Sequence, residues 1–235
     1  MYNIIPMIFN RDIFLNGASN IINLKCKQQY FSIMRFSILL LLTGFYACGQ
    51  QSENKKHVVD PKARQLNDSA TSIAMHAQDY NKAISLLDQA TQIDSNYLTA
   101  YANKLSFQLE LKQFDKALAT AKNLNRIKPE APEYFVSIGL IYEHMGDTTS
   151  SNKFFNEAVN RYNKILDTMS TVNKDYDLLL MNKAVSLILV GQQQKGNDIL
   201  KGLYDKQKDE SYREMLSSFM NKSRKDILDN LRQTN

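Results

Sequence analysis

Residues Pro132–Asp147 read PEYFVSIGLIYEHMGD. Phe135, Ile138, Gly139 and Tyr142 stand at i, i+3, i+4 and i+7, one stripe of an α-helix. Pro132 suits the first turn, where its fixed φ is already helical and its missing N–H would go unpaired. Gly146 suits the far end, as a left-handed residue that stops the helix. Gly139 in mid-helix costs about 1 kcal/mol relative to alanine, so a neighbouring helix that leaves no room for a side chain is expected there. A stripe of this kind cannot be buried by one helix alone.

The partners recur at a fixed period. Tyr101–Pro129 has the same shape, a helix, a tight polar turn and a second helix ending at proline, and Tyr80–Ser95 reads as another second helix. The step from Ala83 to Ala117 equals the step from Ala117 to Ser151. The residues four and seven positions on repeat too: Leu87 and Ala90, Ala121 and Leu124, Phe155 and Ala158. A helix–turn–helix unit with this period, about 34 residues, resembles the tetratricopeptide repeat. Phe114, Ala117, Pro129, Phe135, Ile138, Gly139, Tyr142 and Gly146 carry the resemblance, which spans roughly Asp60–Lys208. It implies an all-α, right-handed helical solenoid of about four repeats over 60–208, with repeat packing at Ala83, Ala117, Phe135, Gly139, Tyr142 and Gly146, and capping helices over 209–235.

The spacing then changes. The next turn glycine, Gly191, follows Gly146 by 45 residues, one period plus 11, or about three helical turns. Phe155, Ala158, Tyr162, Ile165, Leu166 and Met169 keep the 3/4 spacing, so the second helix of the third repeat is expected to run to about Thr168. Tyr162, Ile165 and Met169 either cover a further helix or present an apolar ledge. Upstream, Pro61 opens a first helix reaching about Ala77, and Asp94 and Ser95 offer a cap to a helix over 96–111. Downstream, Tyr212, Met215, Leu216, Phe219 and Met220 form a last apolar stripe before a polar tail, the outer face a terminal helix needs.

The start of the chain reads as an address. Met34–Cys48, MRFSILLLLTGFYAC, has one basic residue, a short apolar run and small residues before Cys48. The run is too short to span a bilayer, which needs ~20 residues, and fits a secretory signal. Ala47-Cys48 resembles a bacterial lipoprotein signal, which implies lipidation of Cys48; a plain signal peptide with an incidental cysteine is the other reading. Met1–Ile33 fits neither, and the expectation is an over-extended start, with 34–47 the signal and 48–59 a polar tether. Residues 1–47 hold Arg11, Lys25, Lys27 and Arg35 against Asp12, so their removal lowers the formal charge from +5 to +2. The basic balance therefore carries no nucleic-acid message. It would also leave Cys48 as the sole cysteine, with no disulfide or thiolate metal site.

No nucleotide-binding, zinc-hydrolase or nucleophile-elbow pattern occurs. His76, Glu110 and His144 occupy equivalent places in successive repeats, but three unlike residues make a poor metal or acid–base site. No enzymatic activity, cofactor, metal or small-molecule substrate is expected. Stacked repeats create a groove lined by first helices, suited to a peptide or a partner's helix. By analogy with the family its candidates are Asp68, Ser72, Met75, Ala102, Asn103, Ser106, Leu109, Val136, Leu140, Glu143 and His144. Only Asn103 fits the carboxylate clamp known in some members, so a clamp is not expected. The expected function is protein–protein interaction, as a scaffold or assembly factor in the bacterial cell envelope, held through Cys48 to a membrane, the outer one facing periplasm or surface. The alternative is a module that captures a peptide or envelope polymer.

Overall fold

The structure, a computed structural model, describes residues 57–233. The signal at 34–47, the over-extended start at 1–33 and Cys48 lie outside the described residues. Among those described, ten helices and no strand are present. They form four antiparallel pairs, α1 (Pro61–Ala77) with α2 (Tyr80–Ile93), α3 (Leu98–Glu110) with α4 (Phe114–Ile127), α5 (Pro132–His144) with α6 (Thr148–Thr168), and α7 (Tyr176–Leu189) with α8 (Gln193–Lys206). Two terminal helices follow, α9 (Glu210–Phe219) and α10 (Arg224–Gln233). Each helix from α1 to α8 packs on the next one along the chain, giving an all-α helical solenoid.

Helix ends are set locally. Aspartates begin four helices: Asp60, Asp79, Asp147 and Asp209 each accept hydrogen bonds from first-turn N–H groups, as Asp60 does from Lys62 at 2.8 Å. The first helix of every pair ends at a left-handed residue: Gln78 (φ 51°), Lys112 (φ 54°), Gly146 (φ 80°) and Gly191 (φ 85°). In the last three pairs the next residue's N–H reaches back to close the end, Gln113 to Gln108 at 2.8 Å, Asp147 to Tyr142 at 2.9 Å and Gln192 to Leu187 at 2.8 Å.

Asp94 does not cap α3. That helix begins at Leu98 after Tyr97, with no side-chain cap. Asp94 instead ends α2 and is buried, accepting from the N–H groups of Asn96 and Asp60 at 3.1 Å each. His57 Nε2 donates to the same carboxylate at 2.9 Å. Burial works to raise the Asp94 pKa, but the two N–H donors and His57 outweigh it and hold the carboxyl below its usual range. The residues entering α1 are thereby tied to the α2–α3 corner.

Small residues let the pairs close. At Gly139 a Cβ would stand 2.6 Å from Cδ1 and Cε1 of Phe155 on α6. Ala83, Ala117 and Ser151 are fully buried at one register. The fourth pair continues it at Gly196, as far beyond Ser151 as Gly191 is beyond Gly146. A Cβ at Gly196 would lie 2.5 Å from Ile188 Cγ1 and 2.6 Å from the Ala184 carbonyl oxygen.

Helix α6 has 21 residues against 14 in α2 and α4. The seven extra residues, at 1.5 Å each, carry it about 10 Å past the length of its counterparts. Tyr162 on this extension is fully buried, and Ile165 and Met169 pack against a core shared with α7. The extension therefore covers a helix and does not form a free ledge. It also sets the fourth pair out of step with the first three.

Candidate functional site

The residues of the expected groove divide by position along the solenoid. On α1, Asp68, Ser72 and Met75 are open to solvent, Met75 at 78 % exposure. Beside them lies a shallow depression of about 570 Å³ bordered by Arg64, Asp68, Ser69, Ser72 and Ile73. On α3, Ala102, Asn103 and Leu109 are buried and Ser106 is half-buried. Asn103 is committed internally, its Nδ2 donating to Asn67 Oδ1 at 2.8 Å, while Asn67 Nδ2 donates to Asp68 Oδ1 at 3.3 Å. A polar chain thus runs from inside the α1–α3 contact to surface Asp68. The Ser106 hydroxyl donates to the Ala102 carbonyl at 3.2 Å.

On α5 the expectation of a lined groove meets a covered surface. Val136 and Leu140 are 2 % and 5 % exposed, in one core cluster with residues of α6, α7, α9 and α10. Every residue from Tyr134 to Ile141 is buried, because α5 is enclosed on more faces than a stripe-and-groove pattern assumes. Glu143 is taken by Arg224 of α10 at 2.8 Å. His144 stacks on Phe114 of α4, ring centroids 5.0 Å apart and planes 11° from parallel. The open part of the candidate surface is therefore the α1 end, and the α5 end is closed by the chain itself.

Aromatic and cationic groups tie the third pair together. Tyr142 stacks on Phe154 at 5.5 Å, and the Arg161 guanidinium lies 4.2 Å over the Phe135 ring while donating to the Pro129 carbonyl. The hydroxyls of Tyr162 and Tyr212 are buried without a hydrogen-bond partner. Burial pushes the Tyr162 phenol well up, with a smaller contribution from Glu133. Burial, then Asp177, pushes Tyr212 up to about 12. Both phenols stay neutral at physiological pH and act as core.

His76 and His144 do not converge. His76 Nδ1 donates to the Ser72 carbonyl at 2.9 Å on the open face of α1, whereas His144 is held on Phe114. Among the described residues no three His, Cys, Asp or Glu side chains gather closely enough to hold a metal ion. No helix among them is long and apolar enough to cross a membrane. Sequence reasoning missed Gly196, whose place follows from Ser151 once the longer step between the turn glycines Gly146 and Gly191 is applied. It also missed the Arg224–Glu143 pair, for which a separation of 81 residues leaves no local signal.

Two stretches are recognised as tetratricopeptide repeats, residues 74–135 and residues 132–164. The chain is 29 % identical over 103 residues to the small glutamine-rich tetratricopeptide repeat-containing protein 2 of Mycosarcoma maydis, a match covering 44 % of this chain and 27 % of that protein. It is 28 % identical over 85 residues to tetratricopeptide repeat protein 28 of Homo sapiens, covering 36 % of this chain and 3 % of that one. The chain thus spans well under two thirds of either relative. Among solved structures it is similar to PilW, described as a widely conserved type IV pilus biogenesis factor. That likeness has 19 % identity and a TM-score of 0.45, covering 63 % of each chain.

Proposed function

We propose that this protein is a non-enzymatic scaffold or assembly factor of the bacterial cell envelope, tethered to a membrane through an acylated Cys48 and working by binding a partner protein. The tetratricopeptide repeats at 74–164 support the interaction role. The observation that carries it furthest is the solvent-open face of α1, where Asp68 and Ser72 border a shallow depression and Met75 stands exposed on the same helix. A large exposed methionine beside polar residues is the kind of surface a protein partner covers. The sequence at 34–48 supports the tether, and a polar run from Gln50 to Lys56 allows the body to stand off the bilayer.

The test is crosslinking in native membranes followed by purification through a C-terminal tag, with Cys48→Ala alongside. A stoichiometric protein partner, lost or relocated in the Cys48→Ala form, is the expected result. Recovery of the protein alone from both forms, or its presence in the soluble fraction without substitution, would overturn the reading.

A further inference from the structure

A second depression lies beyond the recognised repeats, and none of the expected groove residues borders it. It measures about 430 Å³ and is bordered by Asn197, Asp198, Lys201, Tyr204 and Asp205 of α8 and by Met220 after α9. Clefts that hold small molecules run from about 300 to 1,000 Å³. The five α8 residues share one side of that helix, because they recur three and four positions apart. A lone helix surface is convex, and the wall that makes this one concave comes from the chain beyond α9. After Phe219 the chain turns toward α7, on which α10 packs. The turn holds Asn221 at φ 60°, and the Asn221 N–H donates to Asn197 Oδ1 at 2.9 Å. Asparagine adopts this left-handed conformation more readily than most residues. The Arg213 guanidinium of α9 lies 4.2 Å from the centroid of the Tyr204 ring and steadies it. Wall and ring are thus set by the fold.

The bonds already made at the site show what is left to bind with. Asn197 spends Oδ1 on the turn and keeps both Nδ2 hydrogens. Asp198 Oδ1 accepts from Gln194 Nε2 at 2.8 Å, and Asp205 Oδ2 accepts from Lys201 Nζ at 2.8 Å. The second oxygen of each carboxylate is left to accept from a ligand. Tyr204 and Met220 add half-buried apolar surface. An anion would meet two carboxylates against one lysine. A bare metal ion finds no cluster of three ligands among the described residues. A wholly apolar ligand would strip water from the amide and the carboxylates and give nothing back. A neutral polyhydroxylated ring satisfies all of them. Its adjacent hydroxyls donate to carboxylate oxygens and accept from amide hydrogens, and its C–H face covers apolar surface.

We propose that the depression between α8 and the turn after α9 binds a pyranose unit of a neutral glycan, with Asn197, Asp198 and Asp205 bonded to its hydroxyls and Tyr204 and Met220 against its C–H face. The site lies outside residues 74–164, where the repeats are recognised. It goes beyond the scaffold reading and does not depend on it.

The test is a titration of the isotope-labelled full chain with maltotriose, cellotriose and tri-N-acetylchitotriose, followed through backbone amide NMR. At least one of the three should give saturable shifts in the millimolar range, about 1–10 mM, centred on Asn197, Asp198, Tyr204 and Asn221. Asp198→Asn combined with Asp205→Asn keeps the shape and removes the charged acceptors, so it should weaken binding about tenfold. Its amide shifts elsewhere should match those of the wild type, which separates lost binding from lost folding. Asp68→Asn, in the depression on α1, should bind as the wild type does. The proposal falls if none of the three sugars moves these amides, or if the shifts centre on α1. It falls equally if the double variant binds as tightly as the wild type, or if inorganic phosphate or magnesium moves the same amides at lower concentration than any sugar. None of these failures touches the scaffold reading, which the membrane crosslinking tests separately.

Discussion

Gly139 brings two opposed effects to one position. Alanine there would gain about 1 kcal/mol in helix propensity, but its Cβ would sit 2.6 Å from a Phe155 ring that is fully buried and has nowhere to retreat. Overpacking of this kind costs about 1–3 kcal/mol. The clash wins, and Gly139→Ala should lower the urea midpoint, with Gly139→Leu lowering it further. A midpoint that rose would mean the α5–α6 contact is looser than drawn. Lys112 is the converse case. It holds φ 54° where the third and fourth pairs have glycine, and a side chain in the left-handed region costs about 1–2 kcal/mol. Glycine removes that strain but frees the unfolded chain, so Lys112→Gly should stabilise by roughly 0.5–1 kcal/mol. Equal thermal melting of the two forms would argue against strain at this turn.

At the level of helices and corners, Asp94 is the group whose removal travels furthest. Its folded pKa lies below that of the unfolded chain, so its contribution is present above the ordinary carboxylate range. It is lost as pH falls through the lowered value. Asp94→Asn keeps one acceptor but leaves donors short, and should cost about 1–3 kcal/mol at neutral pH. Between pH 7 and pH 3 the wild type should lose more stability than the variant; parallel curves would rule the carboxylate out as the source. The same residue shows what could be read in advance. Aspartate before a helix is a sound cap signal, yet the carboxylate found better donors in Asn96 and in Asp60, which precedes the whole first pair. The end of α6 at Thr168 was legible, because the 3/4 stripe simply continues through Tyr162 and Leu166. Val136 and Leu140 were not, because periodicity identifies one buried face and α5 has several. The cover that α10 contributes depends on a chain reversal near the C-terminus, which no window on α5 contains.

Across the whole molecule the core is uneven. The N-terminal cluster is built largely of alanines, Ala63, Ala70, Ala74, Ala83, Ala90 and Ala100, around Leu87 and Tyr97. The C-terminal cluster gathers Phe135, Phe155, Tyr162, Met181, Ile188, Leu200 and Phe219. Burial stabilises in proportion to apolar area, and each pair in a solenoid leans mainly on its neighbours. Native-state hydrogen exchange should therefore show α1 and α2 opening at lower free energy than α5 to α7. Uniform protection from end to end would contradict this. The long α6 has a further consequence. A strictly periodic surface offers a ligand the same foothold at every step, so a bound strand or helix can slide from one to the next. A single slip in phase, like a dislocation in a crystal row, breaks that equivalence and leaves one place with no duplicate along the array. Whatever engages the protein there has only one register in which to sit.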